Sequence, residues 1–313
     1  MAKTVEDLRK SRQQREAIIK RFGKVPESIM VHDKSDKVID IIVSERRSYE
    51  LKAVTGGHTG KLGKAFSVSG KTCRGGAADP GGLSRFPQNI GRTLLFLYTN
   101  KGDTVVDPFA GHNSRMELCW RAGRNYIGHD LSAEFMEINR KIKQMLEDEK
   151  KNDFFPGDFT ASITLHECDS KKMPTKSGVG DFTITSPPYW DLEYYGPQPE
   201  QLGIGKTYEE FLNGLGQVAK ENFRCLKPGA FCVWCVNDFR KGGLFYPYHE
   251  HTCQLLRAAG FIQWDMAITD LGSSMRACFP NQVIESKILP KRHEYCLIFR
   301  KPQVKLLTPP KRK

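Results

Sequence analysis

From Phe86 onward the chain alternates short apolar runs with amphipathic stretches of helical period, and that alternation leaves few folds open. Thr104-Val105-Val106 predicts a short buried strand, Asn113 to Ala122 a helix, Tyr126-Ile127 a strand and Ala133 to about Glu149 an amphipathic helix. Ile163-Thr164-Leu165 and Phe182-Thr183-Ile184 predict further strands. Tyr208 to Leu226 predicts a helix, Phe231 to Val236 a strand and Tyr248 to Ala259 a helix. Ile262 to Ile268 and Tyr295 to Phe299 are expected as two late strands, paired antiparallel at one edge. The pattern predicts an open, mainly parallel α/β sheet.

In such sheets ligands bind beyond the carboxyl ends of the strands. The first strand runs into Asp107-Pro108-Phe109-Ala110-Gly111. There Pro108 stiffens the turn, Gly111 permits close backbone approach, and Asp107 is expected to point into the crevice. The second strand ends at Gly128-His129-Asp130, an acid suited to both hydroxyls of a ribose. The third leads to Cys168-Asp169-Ser170, and the fourth into Thr185-Ser186-Pro187-Pro188-Tyr189-Trp190. Two successive prolines continue neither a sheet ladder nor an ordinary helix turn, so they fix a rigid bend. Ser186 adds a hydroxyl, and Tyr189 and Trp190 add flat faces, a combination able to hold a planar ring carrying an amino group. Each feature alone has a structural explanation as a cap or a turn. Four consecutive strand ends carrying them point to a site.

Composition narrows the class further. No apolar run approaches the roughly 20 residues a membrane helix needs, and the basic first 24 residues lack the apolar core of a signal peptide, so a cytoplasmic location is expected. Nine cysteines without scaffold spacing fit a reducing compartment. Cys232 and Cys235 lie three apart in a strand-like run and point to opposite faces; His249, His251 and Cys253 lack a second ligand pair. No metal site is therefore expected. The net charge of +12 suits a polyanionic partner, most often nucleic acid.

Residues 1–83 read as a basic extension, with a charged helix from Thr4 to about Arg21, an extended stretch from Val38 to Val43, and a Gly/Lys/Ser-rich loop. Ser69-Gly70-Lys71-Thr72 is not a nucleotide loop, because Ala65 stands where the required glycine belongs. Arg46, Arg47, Lys61, Lys64, Lys71 and Arg74 are candidates for phosphate contacts, or equally a solvated charged face. Residues 302–313 form a basic tail.

These motifs together resemble the S-adenosylmethionine-dependent amino DNA methyltransferases, which modify the exocyclic nitrogen of cytosine or adenine. The resemblance spans about residues 84–301 and implies a Rossmann-like methyltransferase fold, a mainly parallel sheet with an antiparallel edge strand. It implies that Asp107, Pro108, Phe109, Ala110 and Gly111 form the cofactor loop. Asp130 and Leu131 would hold the ribose, Asp169 and Ser170 the adenine, and Phe86, Pro87 and Asn89 the methionine end. Ser186, Pro187, Pro188 and Tyr189 match the catalytic motif; Leu226-Lys-Pro-Gly229 and His293-Glu-Tyr-Cys-Leu-Ile-Phe-Arg300 also have the family's look. Trp190, Tyr194, Tyr195 and the loop from Ser273 to Lys287 are expected to border the target base, flipped out of duplex DNA or presented single-stranded.

Two departures stand out. The family usually continues from the glycine with Ser-Gly-Thr, whereas this chain has His112-Asn113-Ser114-Arg115, adding bulk or charge near the cofactor's carboxylate. The cofactor loop also precedes the catalytic bend, while many relatives carry the catalytic half first. A serine before Pro-Pro goes mostly with cytosine N4 in this family and an aspartate with adenine N6, so Ser186 favours cytosine and adenine is the alternative. A non-catalytic nucleic-acid-binding protein on the same scaffold, and a methyltransferase acting on structured RNA, are the other readings. No cysteine follows a proline, so the Pro-Cys nucleophile of ring-carbon cytosine methyltransferases is absent.

Overall fold

The computed structural model describes residues 13–14, 16–18, 20, 27–31, 86–111, 114–151, 159–193, 195, 197–203, 205–272 and 280–303. Its elements are β1 (Ile29–Val31), α1 (Gln88–Tyr98), β2 (Thr104–Asp107), α2 (Ser114–Arg121), β3 (Asn125–Asp130), α3 (Ala133–Lys151) and β4 (Ile163–Glu167). A 3-10 turn follows at Ser170–Lys172. Then come β5 (Gly180–Thr185), α4 (Tyr208–Cys225), β6 (Leu226–Val236), β7 (Phe239–Lys241), β8 (Leu244–Tyr246), α5 (Tyr248–Ala258), β9 (Ile262–Asp270), α6 (Pro280–Ser286) and β10 (His293–Arg300). The helix expected at the N-terminus lies mostly outside the described residues. So do the stretch Val38 to Val43, the glycine-rich loop, Arg46, Arg47, His112, Asn113, Tyr194, residues 273–279 and residues 304–313.

Eight strands form one sheet in the order β1-β9-β10-β6-β5-β2-β3-β4. β6, β5, β2, β3 and β4 run parallel, while β10 is antiparallel to both β6 and β9. The expected antiparallel pairing of β9 and β10 is present, but the pair is not the edge. β1 lies outside β9 and parallel to it, Ile29 opposite Ile268, so a segment far ahead of Phe86 supplies the last strand.

The sheet is covered on both faces, as the near-continuous apolar strands require. Ile90, Leu94, Leu118, Trp120, Ile138 and Ile142 from α1, α2 and α3 pack with Val105, Tyr126, Ile184, Val233 and Cys235. On the other face Phe211, Leu215, Val218, Tyr248 and Leu256 from α4 and α5 pack with Cys232, Trp234 and Val236. Cys232 and Cys235 therefore do point to opposite faces, one donating to Asn222 Oδ1 at 3.1 Å and the other 3.5 Å from Cys296 Sγ. After β2 the chain moves outward through β3 and β4, then returns to place β5 on the other side of β2. That reversal leaves a crevice between the carboxyl ends of β2 and β5, the ligand position of open α/β sheets.

Candidate active site

The loop after β2 is organised by one buried carboxylate. Asp107 is fully buried, and its oxygens accept from Phe109 N (3.0 Å), Thr185 Oγ1 (2.6 Å), Arg115 Nε (2.7 Å) and the Tyr126 hydroxyl (2.8 Å). A carboxylate has about four lone-pair sites, and four internal donors occupy them. Asp107 therefore does not point free into the crevice: it ties the loop to β5, α2 and β3. Arg115 likewise turns inward, adding hydrogen bonds to the carbonyls of Phe109 and Ala110 and lying 5.4 Å over the Phe86 ring. Its charge is matched by Asp107, so Arg115 braces the loop from within.

Gly111 adopts a φ of +52°, a left-handed conformation that glycine accepts readily. Its N–H donates to Asp130 Oδ2 at 2.7 Å, its carbonyl accepts from Asn139 Nδ2 at 2.7 Å, and Ala110 N donates to His129 O at 2.8 Å. Asp130 also accepts from Ser132 N at 2.9 Å. Burial pushes its carboxyl up to about 6, against the pull of these two donors. Leu131 follows it, partly buried. On the next strand end Asp169 accepts from Lys171 N at 2.9 Å, and the Ser170 hydroxyl donates to Pro108 O at 2.5 Å. The ends of β2, β3 and β4 are thus fastened into one rim.

Phe86 is buried beside Gly91 and Leu118, Pro87 caps α1, and Asn89 donates to Val31 O at 2.7 Å. Asn89 Oδ1 and Asn139 Oδ1 are buried and without partners among the described residues. Orphaned acceptors of this kind fit a ligand ammonium group, and the Asp130 carboxylate keeps lone pairs for a diol. Phe109 points to the other side of the sheet, edge-on to Trp234 with centroids 5.9 Å apart.

The Ser186-Pro187-Pro188-Tyr189 bend leaves β5 beside this rim. Tyr248 donates its hydroxyl to Pro188 O at 2.9 Å, anchoring the second proline. Among the described residues the Ser186 hydroxyl and the Pro187 carbonyl have no hydrogen-bond partner. Tyr189 packs edge-on against Tyr248 at 5.7 Å, and its hydroxyl lies 3.4 Å from Glu294 Oε1. Trp190 has a φ of +46°, rare for a bulky residue, held by an indole N–H bond to Lys206 O at 2.9 Å and by packing on Tyr208 and Tyr246. The Tyr195 hydroxyl turns to Glu193, and burial pushes it far above the usual phenol range.

Glu294 was not singled out from the sequence. Burial pushes its carboxyl up to about 7, with Tyr189, Arg115 and Lys291 drawing it back. Lys291 Nζ and Asn237 Oδ1 nearby are buried without a hydrogen-bond partner among the described residues, and burial brings Lys291 down to about 8. Val236 pairs with Tyr295, so Asn237 and Glu294 sit side by side beyond the last pair of that ladder. An acid opening an otherwise apolar strand was the available signal. His249 pairs with Asp238 at 2.7 Å and stacks on Tyr295, and His251 meets the Tyr208 hydroxyl at 2.8 Å; these histidines have separate partners.

The profile of the DNA methylase family matches residues 8–141 and 181–312, well over half of the chain. The chain belongs to the DNA methylase family. Among relatives of this chain, an orphan methyltransferase, M.BamHII of Bacillus amyloliquefaciens, is 31% identical over 62 residues. That stretch is 20% of this chain and spans 23% of the relative's length. A candidate DNA modification methylase from Thermus thermophilus, solved in complex with S-adenosyl-L-methionine, is 31% identical. The match covers 43% of this chain and 53% of that one, with a TM-score of 0.32. A SAM-dependent methyltransferase from Methanosarcina mazei is 14% identical over 71% of this chain and 100% of its own, with a TM-score of 0.44.

Proposed function

We propose that this DNA methylase transfers a methyl group from S-adenosyl-L-methionine to the exocyclic N4 amine of cytosine in DNA. The observation that carries the reading is a Ser186 hydroxyl and a Pro187 carbonyl without hydrogen-bond partners among the described residues, on the strand end next to the rim built by Gly111, Asp130 and Asp169. When bound, S-adenosylmethionine supplies an electrophilic methyl on a sulfonium. Asp130 would accept the ribose hydroxyls, Asp169 would contact the adenine, and Asn89 and Asn139 would accept from the methionine ammonium. Family membership supports an amino-methylating reaction on DNA; the preference for cytosine rests on Ser186.

An amine conjugated to a base is a weak nucleophile, because its lone pair is delocalised into the ring. Ser186 Oγ and Pro187 O would accept hydrogen bonds from that amine, drawing it toward tetrahedral geometry and freeing the lone pair for in-line attack on the sulfonium methyl; the S–C bond would break as the N–C bond forms, the neutral thioether would leave, and the amine's surplus proton would pass to solvent. The Pro188 carbonyl is already held by Tyr248, so the bend reorganises little during the reaction. Tyr189 supplies the face on which the base lies, its own orientation fixed by Tyr248 and Glu294.

The test is to incubate the protein with S-adenosylmethionine and mixed-sequence duplex DNA, digest to nucleosides and identify methylated species by mass spectrometry. N4-methylcytosine is expected, reduced about 100-fold or more in Ser186→Ala, the scale of losing a transition-state hydrogen-bond partner, and about tenfold or more in Tyr189→Ala, which removes the face on which the base stacks. N6-methyladenine would overturn the base assignment and keep the reaction. Cofactor binding without either product would move the search to RNA, and absence of cofactor binding would favour the non-catalytic reading.

A further inference from the structure

Beyond the catalytic bend, the feature that most needs explanation is the two-stranded ribbon of β7 and β8. It leaves the sheet directly after β6, whose Trp234 pairs with Thr185, so it stands at the same edge as Ser186 and its neighbours. Its base is firmly held. Phe239 and Tyr246 stack on each other at 5.2 Å and 15°, and both pack on Trp190 and Tyr208. Phe239 also meets Tyr189 at 6.5 Å. The ribbon and the end of the catalytic motif therefore form one aromatic body.

Its tip is built differently. Lys241 and Leu244 are paired across Gly242 and Gly243, whose φ values of +58° and +82° make the tight two-residue turn that glycine pairs favour in hairpins. Apart from the adjoining residues of the turn, no described atom lies within 4 Å of where a side chain would start at either glycine, so the tip projects away from the other described residues. Leu244 is 65% exposed and Phe245 50% exposed. Phe239 and Tyr246 already anchor the ribbon, so among the described residues the core does not depend on these two side chains. Each has a basic residue as its cross-strand partner: Arg240, opposite Phe245, lies 5.2 Å over its ring, and Lys241, opposite Leu244, lies 4.1 Å over Trp190 while pairing with Asp191.

We propose that the β7–β8 ribbon is a wedge that inserts Leu244 and Phe245 into duplex DNA beside the target base, a role that rests on the DNA methyltransferase reading above. Extruding a base leaves a gap in the stack, and apolar side chains placed between base steps are a general means of occupying such a gap. Arg240 and Lys241 match the phosphates that flank the gap. The shared aromatic body places the wedge at a fixed distance from Tyr189, so filling the stack and receiving the extruded base become one docking event.

The experiment compares native protein with the Leu244→Ala/Phe245→Ala double variant on mixed-sequence duplex DNA and on the same DNA heat-denatured, reading methylated nucleosides. The double variant is expected to lose about tenfold or more on duplex DNA, equivalent to roughly 1.4 kcal/mol of transition-state stabilisation, and less than about twofold on single strands. Phe245→Trp, which keeps a planar apolar tip, is expected to retain duplex activity. Equal losses on both substrates, unchanged duplex activity, or native activity confined to single strands would each overturn the wedge while leaving the reaction intact. Native protein that methylates neither DNA would overturn the functional reading and the wedge together. Retained single-strand activity also shows that the double variant is folded.

Discussion

Arg115 shows how far a residue's environment redirects its chemistry. In sequence it is a positive charge intruding where the family usually has small residues, yet its side chain is 7% exposed and is spent on Asp107 and two loop carbonyls. Removing one partner of such a pair strands the other charge in the interior. Arg115→Met is expected to lower stability by about 3–5 kcal/mol, read as a shifted urea midpoint, and to weaken cofactor binding through a loosened loop. Glu294 makes the opposite point: it is an acid held toward its neutral form. Its folded pKa, about 7, lies above the ordinary 4.5. Its contribution to stability is therefore fully present below pH 4.5 and is lost as the pH rises through about 7. Unfolding free energy compared at about pH 5 and about pH 8 should show this decline, and Glu294→Gln should flatten it.

At the level of elements, the long strands and helices were legible because each carries a clear apolar period; α4 and α5 begin at the expected Tyr208 and Tyr248. What joins them was less visible. Asn222 on α4 is fully buried, donating to Thr183 Oγ1 at 2.7 Å and accepting from Cys232 Sγ and Trp234 Nε1, so one side chain clamps the helix to β5 and β6. Asn222→Ala leaves buried polar groups unpaired and is expected to cost about 3 kcal/mol, measurable by denaturant titration. The β7–β8 ribbon escaped the sequence reading because strands of three residues show no period. β1 escaped for the same reason: only the register of β9 gives Ile29–Val31 a place in the sheet. α1 shows itself in the sequence only through the motif Phe86-Pro87-Gln88-Asn89, although Ile90, Leu94 and Leu95 carry a buried helical face.

For the whole molecule, the alternation of strand and helix determined a doubly covered parallel sheet, because apolar strands need covering on both faces and helices of that length supply it. The motifs at four strand ends likewise share one edge of the sheet, since the strands that carry them run parallel and adjacent. Sequence also sufficed for the rigidity of the bend, as proline restricts the backbone wherever it occurs. Tertiary structure alone decided which polar groups at the strand ends keep open acceptor sites and which are spent internally. Asp107 and Asp130 both end strands, yet four donors from β2's own loop, α2, β3 and β5 saturate the first, while the second keeps room beside Gly111 and Ser132. It also decided the company of Tyr189, whose partners Glu294 and Tyr248 lie 105 and 59 residues away in the chain. Hydrogen bonding and burial depend on atoms that meet only when distant segments pack, and no local pattern encodes that meeting.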